Sequence, residues 1–156
     1  MKKIILLASI LVSFFTIESR ANEGSWFALT SGYEDLSSGF HDTGFSVGAE
    51  GGYWYLGNIA YGGFFKANFF GTAANQPSTD LKIYDLGAFL KAGGDSGLYG
   101  KINLGVAFPN ISGRITGFNV GDTKSFFFGL AGGFLFPVSD VFHLGPEVAY
   151  RHISAN

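Results

Sequence analysis

Near the end of the chain, a histidine and a serine stand two positions apart, at His152 and Ser154. In an extended segment, positions two apart point to the same face, so both side chains share a face with Tyr150 and Val148. An imidazole can take the proton of a serine hydroxyl, which then attacks an ester if a third group orients the imidazole and donors stabilise the oxyanion. The pair is therefore a candidate base and nucleophile for ester hydrolysis. The alternative is a histidine and a serine that only end a strand.

A second set of candidate residues consists of charged side chains within apolar and glycine-rich segments. Its members are Glu50, Lys66, Asp85, Lys101, Glu147 and Arg151. Each alternates with large apolar neighbours and should point away from them, into an interior. Counting along the segments places Glu50 opposite or diagonal to Lys66, and Lys66 near Asp85. Neighbouring strands are expected to supply the partners of Glu147 and Arg151. An unpaired buried charge costs several kcal/mol, so the set predicts a salt-bridge network that packs the interior shut. The alternative is a conducting or proton-relaying interior.

The segments that would position these residues alternate large apolar with small or polar side chains, a period of two that indicates β-strands. Seven such segments occupy residues 25–33, 45–54, 58–70, 81–92, 98–108, 125–136 and 141–153. About ten residues tilted near 45° span the hydrocarbon of a bilayer. The sequence therefore predicts an all-β fold: an up-and-down antiparallel transmembrane β-barrel, with seven strands visible and eight expected. The alternative is a soluble sandwich or a lipocalin-like barrel. Only 14% of the residues are charged, against about 25% in soluble domains, which is too few to cover the surface of a soluble protein.

The first 21 residues have the pattern of a secretory signal peptide. Lys2 and Lys3 precede a short apolar run, and Ala21 ends a small-x-small cleavage site before Asn22. The mature chain is then one domain, residues 22–156, in the bacterial outer membrane. An N-terminal anchor helix is the alternative, and the shortness of the apolar run disfavours it.

Composition excludes several classes of function. A net charge of −2 gives no basic field for nucleic acid, and the absence of cysteine removes disulfides and thiolate metal sites. The three histidines, His41, His143 and His152, lack metal-ligand spacing and are interpreted as surface or interfacial residues. The sequence thus predicts no metal and no cofactor.

Short and long connections alternate along the chain. Short turns are expected at residues 56–58, 93–97 and 137–140, and long loops at residues 34–44, 71–80 and 109–124. Outer-membrane barrels place short turns in the periplasm and long loops outside. Aromatic residues at the strand ends, such as Trp26, Trp54 and Tyr150, fit the interfacial girdles of such barrels. Many glycines fall at inward positions, where neighbouring strands come close.

Seven spans leave an odd count, whereas single-chain bacterial barrels have an even one. Three interpretations follow: the chain lacks its last strand after Asn156, it closes through a partner, or the count is off by one. Truncation is preferred, because an open edge at membrane depth leaves backbone groups unsatisfied.

Over the whole mature chain the pattern resembles the small OmpA/OmpX-like and opacity-type outer-membrane barrels. Residues 150–156, Tyr-Arg-His-Ile-Ser-Ala-Asn, also resemble the His-x-Ser-Asn segment of the lipid A 3-O-deacylase (PagL-like) family of eight-stranded barrels. That resemblance implies that His152 is a general base and Ser154 a nucleophile, with an acid from further along the chain. The segment departs from the family by the insertion of Ala155 between Ser154 and Asn156.

The sequence therefore predicts a small closed-lumen barrel with a structural role or a role in surface interaction through its outer loops. Its expected partners are outer-membrane lipid and lipopolysaccharide, with an unidentified ligand for the loops. Hydrolysis of lipid A esters by His152 and Ser154 is the alternative function.

Overall fold

The computed structural model describes residues 6–20, 24–36, 41–55, 58–72, 80–93, 97–112 and 124–154. These residues form eight strands: β1 (Leu6–Arg20), β2 (Ser25–Leu36), β3 (His41–Tyr55), β4 (Ile59–Thr72), β5 (Asp80–Gly93), β6 (Gly97–Ser112), β7 (Ser125–Pro137) and β8 (Phe142–Ser154). Each strand pairs with the next along the chain, and β1 pairs antiparallel with β8 to close a barrel. No helix within these ranges has the length and hydrophobicity to cross a bilayer.

The prediction of an all-β, antiparallel, up-and-down barrel is confirmed. The seven predicted strands correspond to β2 through β8, and the structure adds an eighth, β1. Strand β1 is formed by residues 6–20, which fall within the predicted signal peptide. Cleavage after Ala21 and the loss of a strand after Asn156 stay predictions.

Side chains alternate between the two faces of every strand whose side chains are described. In β7, Ser125, Phe127 and Leu135 are buried inside, whereas Phe126 and Leu130 are exposed on the outer wall. Large apolar residues therefore cover the outside of the barrel. The period of two that predicted the strands also predicts which side chains point inward and which point outward.

The connections alternate in length as predicted, with one exception. Residues 56–58, 94–96 and 138–141 join strands at one end of the barrel, and the longer segments 73–79 and 113–124 join them at the other. These ends are called here the short-turn end and the long-loop end.

The prediction of a loop over residues 34–44 is wrong at both of its edges. The ladder between β2 and β3 continues through Tyr33↔Phe45 and Glu34↔Gly44, and the rings of Tyr33 and Phe45 meet edge-on at 6.2 Å.

Inside the barrel, two apolar clusters lie above and below a charged layer. The cluster at the long-loop end contains Phe70, Leu81, Ile83, Ala107, Phe127 and Ile153. The cluster at the short-turn end contains Trp26, Ala28, Trp54, Ala60 and Phe89. Phe64 packs against both clusters. The interior is thus filled by side chains along its height, as expected for a barrel of eight strands.

The assignment of Trp26 and Trp54 to an interfacial girdle is wrong. Their exposed fractions are 4% and 7%, and their rings lie 6.5 Å apart inside the barrel. Trp26 shares its phase with Ala28, and Trp54 shares its phase with Glu50, so strand parity directs both rings inward. Tyrosines at the strand ends do occupy the outer wall, as Tyr53 and Tyr150 show.

Candidate functional site

The middle of the lumen contains one ammonium group held between two carboxylates. Lys101 Nζ lies 2.8 Å from Glu50 Oε2 and 2.7 Å from Glu147 Oε2. The hydroxyl of Tyr99 donates a 2.8 Å hydrogen bond to the same oxygen of Glu147. All three charged side chains are at least nine-tenths buried. Glu50, Lys101 and Glu147 are called here the mid-lumen triad, and their formal charges sum to one negative charge.

Closer to the long-loop end, two cations meet two carboxylates. The guanidinium of Arg151 donates one hydrogen bond to Glu34 and another to Asp85. Lys66 Nζ lies 3.4 Å from Glu34 Oε2. Glu34, Lys66, Asp85 and Arg151 are called here the upper cluster, and their formal charges cancel. The fork of the guanidinium suits it to bridge two carboxylates on different strands.

A side-chain amide completes the polar surroundings of the upper cluster. Asn68 Nδ2 donates hydrogen bonds of 2.9 Å to Asp85 Oδ2 and to the carbonyl oxygen of Ile83. Asn68 is fully buried, so these bonds replace the water that its Nδ2 would otherwise bind, whereas its Oδ1 has no hydrogen-bond partner among the described residues. Four strands, β2, β4, β5 and β8, thus converge on one set of charges.

The predicted interior set and its two predicted register placements are confirmed, but the ion pairs do not all follow the register. Glu50, Asp85, Lys101, Glu147 and Arg151 are buried, and Lys66 is nearly so. Register places Lys66 directly across from Asp85, as predicted, and Glu50 diagonal to Lys66. Glu50 nevertheless forms its ion pair with Lys101, on a strand across the lumen.

The described ion-pair partners of Glu147 and Arg151 lie on strands that do not adjoin β8, contrary to the expectation that neighbouring strands supply them. Glu147 pairs with Lys101 of β6, and Arg151 pairs with Glu34 of β2 and Asp85 of β5, none of which adjoins β8. In a narrow barrel, long side chains meet near the axis, so contacts cross the lumen more readily than they follow one wall.

Two members of the site, Glu34 and Tyr99, are not among the residues that the sequence predicts for the interior. Glu34 falls in the predicted loop over residues 34–44, but it continues the inward phase of Trp26 and Ala28. Tyr99 shares the inward phase of Lys101. Parity along each strand was therefore the signal that could have found both residues.

Inward glycines make room for the aromatic rings of the lumen, which confirms the close approach expected at such positions. A Cβ added at Gly105 would lie 2.8 Å from the ring of Phe127, and one added at Gly133 would lie 2.6 Å from the ring of Tyr99. Larger residues at these positions would displace the rings. Glycine thus lets the interior hold aromatic and charged side chains together.

A cavity of about 60 Å³ lies beside both charged groups, lined among others by Glu50, Asp85, Asn103 and Arg151. Asp85 Oδ1 and Asn103 Oδ1 have no hydrogen-bond partner among the described residues. A space of this size and polarity suits a few water molecules and is far smaller than a pocket for an organic substrate. Among the described residues, this cavity can therefore hold charge and water, but it is too small for an organic substrate.

His152 and Ser154 lie away from this lumen, on the outer wall at the long-loop end. Ser154 is exposed and His152 is half-buried, and both follow the outward phase of Val148 and Tyr150. Their register partners on β7 are Phe128 and Phe126. No hydrogen bond or ion pair holds the imidazole among the described residues. Their roles as base and nucleophile stay predictions.

Of the other two histidines, only His143 has a described side chain. His143 is buried at the short-turn end, so its assignment to the surface or interface is wrong, whereas the side chain of His41 lies outside the described residues. The described part of the chain contains no group of three or more His, Cys, Asp or Glu residues that could hold a metal ion.

Comparison with known proteins gives one structural likeness. No family model and no curated protein sequence matches the chain. Among solved structures, the chain is similar to Ail, the attachment invasion locus protein of Yersinia pestis, with 14% sequence identity and a TM-score of 0.39. The match covers 95% of this chain and 97% of that one. The class of this protein, a closed antiparallel β-barrel with a charged interior, rests on the strand order and burial described above.

Proposed function

We propose that the chain is a small integral protein of the bacterial outer membrane, with a closed lumen and a role that is structural or depends on its outer loops. The observation that carries this proposal is the inverted distribution of side chains. Among the residues whose side chains are described, eight charged ones are buried or nearly buried inside: Glu34, Glu50, Lys66, Asp85, Lys91, Lys101, Glu147 and Arg151. The outer wall exposes large apolar residues on every strand from β2 to β8, including Leu29, Val47, Phe65, Leu86, Leu104, Leu130 and Val148.

Such a wall is unfavourable in water and favourable in lipid. Soluble monomers rarely expose a contiguous apolar patch larger than a few hundred Å². Strands β2 to β8 contain 12 to 16 residues each, which is long enough to cross the hydrocarbon when tilted. The proposed partners of the wall are therefore outer-membrane lipid and lipopolysaccharide.

The filled interior favours a structural or interactive role over conduction. Apolar clusters occupy both ends of the lumen, and the cavity between them holds only about 60 Å³. An ion crossing this lumen would have to break buried ion pairs. The proposed interactive role is the binding of an unidentified surface ligand by the loops at the long-loop end.

Lipid contact can be tested with labelled cysteines, because the chain has no cysteine of its own. Leu104 lies at mid-height in β6 and Val138 lies in the β7–β8 turn, and their exposed fractions are 59% and 68%. We expect brominated acyl chains to quench a fluorophore on Leu104→Cys strongly and one on the matched control Val138→Cys weakly. Equal quenching at both sites, or recovery of the protein as a soluble periplasmic monomer, would contradict the proposal.

Lipid A ester hydrolysis is a second candidate function, favoured by the outward position of His152 and Ser154 at the long-loop end. Incubation of the protein with lipopolysaccharide, followed by chromatography of released 3-hydroxy fatty acids, tests it. We expect no release, because no described acid orients the imidazole, and we expect His152→Ala and Ser154→Ala to be silent. Release by the unmodified protein that either substitution abolishes would establish the hydrolase instead.

A further inference from the structure

The outside of the barrel carries little charge among the residues whose side chains are described. Four charged side chains lie outside the lumen there: Asp35, Lys82, Lys124 and Asp140. Both cations are at the long-loop end, Lys82 near the start of β5 and Lys124 directly before β7. Asp140 lies in the turn between β7 and β8, at the short-turn end. The described positive charge of the outside is therefore confined to one end of the barrel.

Lys82 and Lys124 flank strand β6. Lys82 is directly across from Asn110 of β6, and Lys124 Nζ lies 6.0 Å from the centre of the Phe108 ring on the same strand. Neighbouring strands are about 4.8 Å apart, so the backbones of β5 and β7 are about 10 Å apart across β6. Each ammonium group ends a long and flexible side chain, so both can reach one anion that lies over β6.

Neither lysine has a carboxylate partner among the described residues. The described ion pairs lie in the lumen and involve other cations. Asp35 is exposed at the same end of the barrel, but β2 is three strands along the wall from both β5 and β7, which is about 14 Å. The two lysines thus leave positive charge without a described counter-charge on this part of the wall.

This charge lies where the apolar wall meets the long-loop end. Phe69 is directly across from Lys82 on β4, and Phe108 lies beside Lys124, and both rings are exposed on the outside. A lysine in such a position keeps its carbon stem along apolar surface and its ammonium in the polar layer. An anion bound by the pair would therefore lie directly above the acyl chains that contact the wall.

We infer that Lys82 and Lys124 form a binding site for a phosphate group of lipopolysaccharide, with the phosphate held over β6. The inference rests on the proposed function, because it takes the wall to face acyl chains and the long-loop end to face outward. A phosphate monoester carries about 1.5–2 negative charges at pH 7, which two ammonium groups match. The phosphodiester of an ordinary phospholipid has less charge to offer. The face of the barrel centred on β6 thus selects lipopolysaccharide from the surrounding lipid.

Binding of lipid A to the full chain tests this inference. The chain is refolded in uncharged maltoside micelles and titrated with a fluorescent lipid A that keeps its phosphates, with anisotropy as the measurement. A lysine beside an anionic lipid contributes about a 5-fold change in affinity. We therefore expect Lys82→Gln and Lys124→Gln each to raise the Kd about 5-fold, and the double variant to raise it about 25-fold.

Two further variants separate charge at this site from charge elsewhere and from misfolding. Asp35→Asn removes an outward charge at the same end, on β2, and should not raise the Kd. The double variant Lys82→Arg with Lys124→Arg keeps both charges and should bind lipid A like the unmodified chain. An unchanged Kd in the double glutamine variant, or a loss of binding in the arginine variant as large as in the glutamine one, would overturn the inference.

Three other ligands test the identity of the anion. Lipid A treated with phosphatase should bind the unmodified chain as weakly as intact lipid A binds the double glutamine variant. Equal affinity for phosphatidylglycerol would show that any anionic lipid occupies the site. Displacement of lipid A by inorganic phosphate at constant ionic strength would assign the site to a free anion. Either of the last two results would contradict a lipopolysaccharide site.

Failure of the proposed function is detected separately, by the quenching of the fluorophore on Leu104→Cys. Strong quenching by brominated acyl chains, together with binding of lipid A that is independent of both lysines, would overturn the phosphate site alone. Equal quenching at Leu104→Cys and Val138→Cys would overturn the membrane placement and the phosphate site together.

Discussion

The mid-lumen triad and the upper cluster bury charges of the same kinds but share them differently. In the triad, the single ammonium of Lys101 serves both Glu50 and Glu147. In the upper cluster, Arg151 serves both carboxylates and Lys66 also contacts Glu34. The triad therefore depends on one cation, whereas the upper cluster has a second. The loss of unfolding free energy on each substitution should therefore depend on whether a second cation is left to pair with the carboxylates, and not on burial alone.

The largest effect is expected for Lys101→Met. Two buried carboxylates would lose the cation between them, which should lower the free energy of unfolding by about 3–5 kcal/mol. Urea titration of the barrel refolded in vesicles measures the change. The double variant Lys101→Met with Glu147→Gln removes one of the stranded charges and should be more stable than Lys101→Met alone. A double variant of equal or lower stability would show that the triad is not held by charge.

An intermediate effect is expected for Arg151→Lys, which keeps the charge and removes the fork. An ammonium cannot reproduce two directed hydrogen bonds to Glu34 and Asp85, so one charged hydrogen bond should be lost, at a cost of about 1.5–3 kcal/mol. The same unfolding measurement applies, with Lys82→Arg, in a residue outside both groups, as the control. Full stability of Arg151→Lys would mean that the upper cluster needs charge alone.

The smallest effect is expected for Lys66→Met. Arg151 still holds Glu34 and Asp85 in this variant, and Lys66 contributes one contact of 3.4 Å with a side chain that is 16% exposed. We expect a loss of about 1–2 kcal/mol, between that of a surface pair and that of a broken buried pair. A loss as large as that of Lys101→Met would remove the distinction between the two groups.

Sequence periodicity predicted the strands and the interior charges because both depend on the alternation of side chains along one strand. It could not predict that Lys101 meets Glu50, 51 residues away, because that contact crosses the lumen between strands that do not pair. Register specifies only neighbours along the wall. Which residues become partners across the lumen depends on the packing of the long side chains along the axis of the barrel.

Another difference arose where composition was given more weight than parity. Tryptophans at strand ends suggested a girdle, although Trp26 and Trp54 share a phase with buried residues. The placement of His152 and Ser154 on the outer wall followed directly from alternation, and the structure agrees with it.

The inward position of both tryptophans has a practical consequence for spectroscopy. Trp26 and Trp54 are the only tryptophans in the chain, and their rings lie beside Phe89 and Lys91 within the barrel. Tryptophan emission from this protein therefore reports on the inside of the barrel at its short-turn end. Quenchers carried by lipid tails should leave that emission nearly unchanged, whereas opening of the barrel should shift it to longer wavelength as water reaches the rings. The protein thus carries its own optical probe of closure.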